Sequence, residues 1–155
     1  MNKRLPIIVI ATLAFCQLYG QDVKVSDEEL LKYAVTMDSI NEMSASVRNM
    51  IADMVKESKT ITAARYNELS KIASDEARLT EAKATPEEIA FLKEVADRKA
   101  EEMAKINETY QLLAKEYVTA PVFNKVKKAL SQEPELKTRY DSLMTEMSRD
   151  NPDKH

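Results

Sequence analysis

The feature that most restricts what this chain can fold into is that one passage occurs twice. Ile61-Thr62-Ala63-Ala64-Arg65-Tyr66-Asn67-Glu68-Leu69-Ser70 aligns without a gap on Val118-Thr119-Ala120-Pro121-Val122-Phe123-Asn124-Lys125-Val126-Lys127, 57 residues later. Identical pairs include Thr62/Thr119, Ala63/Ala120, Asn67/Asn124, Ser74/Ser131 and Leu79/Leu136; Tyr66/Phe123 and Leu69/Val126 keep their character. A self-match of this length implies a duplicated supersecondary unit whose two copies close one core together. The copies span about residues 26–83 and 85–147.

The first twenty residues read as a separate segment. Lys3 and Arg4 precede an apolar stretch from Leu5 to Leu18, broken only by Pro6, Thr12 and Gln17. Small Gly20 follows, then a polar run from Gln21. Residues 1–20 are therefore expected to be a secretory signal peptide cleaved after Gly20. The apolar stretch is shorter than the roughly 20 residues of a spanning helix, so no stable membrane insertion is expected after cleavage. Cys16 stands in the outline of a lipoprotein box, but Phe15 is too bulky for the position before the cysteine. Cys16 reads as an inert leader residue.

The remainder, 21–149, is expected to be one helical domain, with 150–155 a flexible tail. The only cysteine and the only glycine of the chain are Cys16 and Gly20. Beyond them, disulfides and thiolate chemistry are excluded. Tight hairpins and phosphate-cradling loops, which call for glycine, are excluded too. Without Lys3 and Arg4, 21 basic residues face 26 acidic ones, a net charge of −5. An acidic surface argues against a nucleic-acid partner.

Helix starts punctuate the rest. Ser26-Asp27-Glu28-Glu29 and Thr85-Pro86-Glu87-Glu88 each form a capping box, and Pro86 occupies the first helical position, where its missing N–H is not needed. From the first start, apolar residues step by three and four through Leu30, Tyr33, Met37, Ile40, Val47, Ile51 and Met54, interrupted by Ser44. This predicts a helix to about Lys56, roughly 45 Å long. From the second they step through Ile89, Leu92, Ala96, Met103, Ile106, Tyr110, Leu113 and Tyr117, with Lys99 between. Thr62 and Thr119 are the expected caps of short helices whose Tyr66/Leu69 and Phe123/Val126 plug into the long stripes. Pro134 opens a last helix through Leu136, Tyr140, Leu143 and Met147. The expected fold class is all-α: a bundle of two long antiparallel helices crossed by short ones.

Ser-Asp-Glu-Glu-Leu at 26–30, aliphatic-Thr-x-x-x-aromatic-Asn at 61–67 and acidic-x-x-Leu at 76–79 together resemble the exported bacterial domain-of-unknown-function family 4168. The second copy is similar to it through Thr85-Pro86-Glu87-Glu88-Ile89, the block 118–124 and Glu133-Pro134-Glu135-Leu136. The resemblance implies a bacterial, exported, helical protein and brings no catalytic residues. Thr85-Pro86-Glu87-Glu88 is also similar to the Thr-Pro-Glu-Gln helix starts of small periplasmic chaperones.

Chemistry-bearing constellations are scarce. The one histidine, His155, is terminal, so neither a histidine base nor a Cys/His metal site can be assembled. Glu28/Glu29, Glu87/Glu88 and Glu101/Glu102 are adjacent in helices and point roughly 100° apart, which does not suit paired acid–base work. Asp22 and Asp27 do not make a calcium loop. Met37, Met43, Met50 and Met54 share one helix; Met37 and Met54 fall on the core stripe, whereas Met43 and Met50 lie partly off it and are the candidate client-binding residues. Lys125, Lys127, Lys128, Lys137 and Arg139 form a basic group interleaved with Glu133 and Glu135, read as a solvated face, with a dock for anionic lipid or lipopolysaccharide as the alternative. These observations lead to the expectation of an exported, periplasmic or secreted, non-enzymatic binding or structural module of the cell envelope, without cofactor or metal. The alternative is an ATP-independent holdase for unfolded clients. The protein partner is not specified by the sequence, and a homodimer is compatible with it.

Overall fold

The computed structural model describes residues 24–150; the signal-peptide segment with Cys16, the Asp22 position and the tail with His155 lie outside the described residues. Among the described residues there are six α-helices and no strand. They are α1 (Asp27–Glu57), α2 (Ala63–Leu69), α3 (Glu76–Glu81), α4 (Pro86–Leu112), α5 (Ala120–Leu130) and α6 (Pro134–Asp150), with a π-helical turn, Leu113–Tyr117, continuing α4.

Both capping boxes are formed. The Glu29 amide donates to Ser26 Oγ at 3.2 Å, and Glu29 Oε2 accepts from the Ser26 amide at 2.8 Å. The Glu88 amide donates to Thr85 Oγ1 at 3.2 Å, and Glu88 Oε2 accepts from the Thr85 amide at 2.9 Å. Each box satisfies two amides that a helix start would otherwise leave unpaired. Two hydroxyls are accommodated inside α1 by back-bonding. Ser44 Oγ donates to the Ile40 carbonyl at 2.8 Å, and fully buried Thr36 donates to the Lys32 carbonyl at 3.0 Å. Neither hydroxyl is left without a partner, the main cost of a buried polar group.

The two long helices, α1 and α4, pack against each other, and Phe123 touches both Tyr33 near the start of α1 and Tyr110 near the end of α4, so they run in opposite directions. Apolar clusters close the two ends. One joins Val25, Leu30 and Tyr33, around the start of α1, to Val118, Phe123, Val126, Ala129 and Leu136 of the α5–α6 region. The other joins Leu92, near the start of α4, to Ile61, Leu69 and Leu79 of the α2–α3 region. Val47 of α1 and Val95 and Ile106 of α4 are buried outside both clusters. Each long helix therefore has its beginning buried by the short helices that follow the other one. Aromatic contacts strengthen the first cluster: Phe123 lies 4.8 Å from Tyr33 and 5.5 Å from Tyr110, ring centre to ring centre.

Several expected details differ. Leu30 and Ile89 each stand four residues past their cap, yet Leu30 is 1% exposed and Ile89 42%. Leu30 packs in the cluster with Val118, Phe123 and Leu136, whereas Ile89 belongs to neither cluster. α6 has 17 residues and packs along α1, whereas α3 stops after six. Ala96, Met103 and Tyr117 are likewise exposed, and the buried line of α4 passes through Val95 instead. Tyr66 is only half-buried, packing edge-on to Phe91 at 6.3 Å, while Phe123 is buried.

Thr62 caps α2 through the Arg65 amide at 3.2 Å, but Thr119 makes no side-chain cap and has φ 76°. Thr62 follows Ser26 by 36 positions; Thr119 follows Thr85 by 34. With helical structure running through Tyr117, only Val118 and Thr119 remain to redirect the chain into α5. In a chain with no glycine here, a threonine takes the positive φ. Lys83, φ 54°, does the same after α3. There the Ala84 amide donates to the Leu79 carbonyl and the Lys83 amide to that of Thr80, both at 3.0 Å, a Schellman closure with lysine in the usual glycine place.

Candidate functional site

Two part-buried ion pairs link the two halves. Arg65 of α2 reaches Glu88 of α4, and Lys125 of α5 reaches Glu29 of α1, so each capping-box glutamate is held by a cation from the other half. The Lys125 ammonium and the Ser26 amide draw the Glu29 carboxyl below its ordinary value; the Arg65 guanidinium and the Thr85 amide do the same for Glu88. Burial pushes the Tyr33, Tyr66 and Tyr140 hydroxyls up. Among the described residues, no buried side-chain polar atom lacks a hydrogen-bond partner.

The remaining carboxylate pairs are surface features. Glu28 pairs with Lys32 at 2.8 Å. Glu101 and Glu102 share Lys105 at 2.9 and 2.8 Å, and that ammonium draws Glu101 down. Glu101 is thus kept ionised rather than poised to exchange a proton near neutral pH. No group of three or more His, Cys, Asp or Glu side chains among the described residues could hold a metal ion.

The candidate client-binding residues Met43 and Met50 are both half-buried on α1. Neither lines the grooves formed around α6 or between the end of α1 and α2. The basic group is largely neutralised: Lys125 pairs with Glu29, Arg139 with Asp27, and Lys137 with Asp141 at 2.6 Å. Lys127 and Lys128, both exposed, make no ion pair among the described residues.

One concavity lies elsewhere. A mostly apolar groove of about 420 Å³ runs between the first turns of α1 and the middle of α6. Leu30, Leu31 and Leu143 supply its apolar wall, Thr138, Ser142 and Glu146 its polar one, and the Asp27–Arg139 ion pair adjoins them. Sequence periodicity missed this site because Leu31 stands off the three-four stripe of α1. Its one sequence signal is the doubled leucine directly after a capping box. A second groove of about 420 Å³, between the end of α1 and α2, is lined by Arg48, Ile51, Val55, Tyr66 and Asn67 among others. No helix among the described residues is long and apolar enough to cross a membrane.

No family model, curated protein or solved structure matches this chain.

Proposed function

We propose that this chain is an exported, non-enzymatic helical module of the bacterial cell envelope, built from two degenerate repeats of the kind seen in family 4168, that acts by binding or structural contact through its helix surfaces. The observation that carries the reading is the basic-then-apolar stretch from Lys3 to Leu18 ahead of a helical domain whose halves are joined by the Arg65–Glu88 and Lys125–Glu29 ion pairs. Glu29, Glu88, Arg65 and Lys125 are all engaged in that role. The test is fractionation of the epitope-tagged full chain in a bacterial host, followed by N-terminal sequencing. Recovery from the envelope or medium with Gln21 as the first residue is expected. Recovery from the cytosol with the leader intact overturns the reading.

A holdase activity is the second reading, favoured by apolar side chains left on the surface. Leu31, Leu112 and Tyr117 are each more than two-fifths exposed, at 44%, 58% and 44%. It predicts that the protein suppresses aggregation of a chemically denatured client. No suppression at equimolar protein rejects it.

A further inference from the structure

We propose that the methionines of this chain are an oxidant-accepting set: accessible thioethers that take oxygen from peroxides and become sulfoxides while the fold stays intact. The inference goes beyond the binding-module reading and stands without it. It takes in Met43 and Met50 together with the other thioethers of the helices.

Burial carries it. Methionine is among the side chains most often fully buried in folded proteins. Among the described residues, 13 of the 24 leucines, valines and isoleucines are buried, and none of the seven methionines is. Four of the seven stand on α1 (Met37, Met43, Met50 and Met54), Met103 stands on α4, and Met144 and Met147 stand on α6. No buried residue among those described contains sulfur; leucine, valine, isoleucine, alanine and two aromatic rings close the core. The one cysteine of the chain is Cys16, so thioethers are the only sulfur beyond it. Met43, Met50 and Met54 also fall within about 40° of one another around the axis of α1, on one side of that helix.

The chemistry makes this separation matter. A sulfur lone pair attacks one oxygen of hydrogen peroxide. An S–O bond forms and the O–O bond breaks. Sulfur gives up two electrons, the peroxide takes them, and after proton transfer the products are the sulfoxide and one water. The change turns a flexible apolar side chain into a polar one and disrupts a core that contains it. On a side chain that reaches water the new oxygen is hydrated, so no unpaired acceptor is buried. Met103 is 39% exposed and belongs to neither apolar cluster. Met37 is the exception, because it packs against the cluster of Leu30, Tyr33 and Phe123. Its sulfoxide would set a polar oxygen against that cluster. The set is therefore graded, with Met103 the most open member and Met37 the most protected.

The experiment treats the chain purified from the cells that make it, with or without residues 1–20, with graded hydrogen peroxide. Peptide mass spectrometry reads the sulfoxide at each methionine, and circular dichroism melting reads the fold. Met103 is expected to react first and Met37 last. The chain with sulfoxides at Met43, Met50, Met54, Met103, Met144 and Met147 should keep a cooperative melt. Leu69→Met supplies the contrast, since position 69 is 0% exposed and the exchange conserves volume. Its thioether should stay reduced at the peroxide dose that converts Met43 and Met50.

Loss of the cooperative melt before Met37 reacts overturns the proposal. So does oxidation of the Leu69→Met thioether at the same dose as Met43 and Met50. Resistance of Met43 and Met50 at a dose that fully converts N-acetylmethionine amide overturns it too. The order within the parent needs no variant: Met37 reacting as early as Met103 would show that burial does not grade the set.

Discussion

The Arg65 guanidinium grips the Glu88 carboxylate through two hydrogen bonds, Nε to Oε1 at 3.0 Å and Nη2 to Oε2 at 3.3 Å. The same Nη2 donates to the carbonyls of Ala82 at 2.9 Å and Lys83 at 3.3 Å. One side chain of α2 thereby ties the closing turn of α3 to the opening turn of α4. At the other end, Lys125 of α5 holds Glu29 of α1 with both carboxylate oxygens.

These two contacts imply an acid-sensitive fold. The folded-state values of Glu29 and Glu88 lie below those of the unfolded chain, chiefly because of Lys125 and Arg65. Their contribution is therefore fully present above the ordinary glutamate value of about 4.3 and is lost as pH falls through the lowered folded value. Melting temperature should drop as pH falls below about 4.3. In the Glu29→Gln/Glu88→Gln double variant that acid limb should be shallower and the pH 7 stability lower. An unchanged limb would mean that other carboxylates govern acid unfolding.

Phe123 and Tyr66 occupy matching places in the two sequence passages but not matching environments. Phe123 is buried between Tyr33 and Tyr110, so Phe123→Ala should destabilise by about 3–5 kcal/mol. Tyr66 is half-buried, and Tyr66→Ala should lose only about 1–2 kcal/mol. Urea unfolding of both variants checks the difference. Equal losses would show that exposure does not set the ranking.

Thr119 holds φ 76° and ψ 139° with a β-branched side chain and no capping bond to compensate. Such a backbone state costs about 1–3 kcal/mol. Thr119→Gly relieves it, offset by the extra entropy glycine brings to the unfolded chain. A net gain of about 1 kcal/mol is expected by urea unfolding. Lys83→Gly, in the milder left-handed helical region at φ 54°, should gain less. Destabilisation by Thr119→Gly would mean that the threonine side chain, not the turn, is needed there.

The crossed burial makes each half dependent on the other. A fragment ending at Lys83 keeps Leu30 and Tyr33 but lacks Phe123, Val126 and Leu136, which cover them. It also lacks Leu92 and Glu88, which complete the opposite end. It is expected to show no cooperative thermal transition by circular dichroism. A sharp two-state melt of the monomeric fragment would refute the dependence.

Where the helices begin was legible in the sequence, because a cap is a local device. Ser26 with Glu29 and Thr85 with Glu88 need only residues three apart, and both boxes form. The three-four stripe of α1 was also readable, with Leu30, Tyr33 and Val47 buried. The stripe of α4 was readable only in part: Leu92 and Ile106 are buried as expected, whereas Ile89, Met103 and Tyr117 are exposed and Val95 is buried. The groove was missed too, since Leu31 and Leu143 are 112 positions apart and meet only when α6 lies along α1.

The sequence by itself thus determined that this chain is helical and where its two long helices begin, since propensity, capping and the lack of glycine act within a few residues. The tertiary structure alone decided which apolar faces are covered, that Arg65 and Lys125 lock the opposite half, that Thr119 takes a positive φ, and where a groove is left open. Those outcomes depend on contacts between residues distant in sequence, which no local pattern encodes.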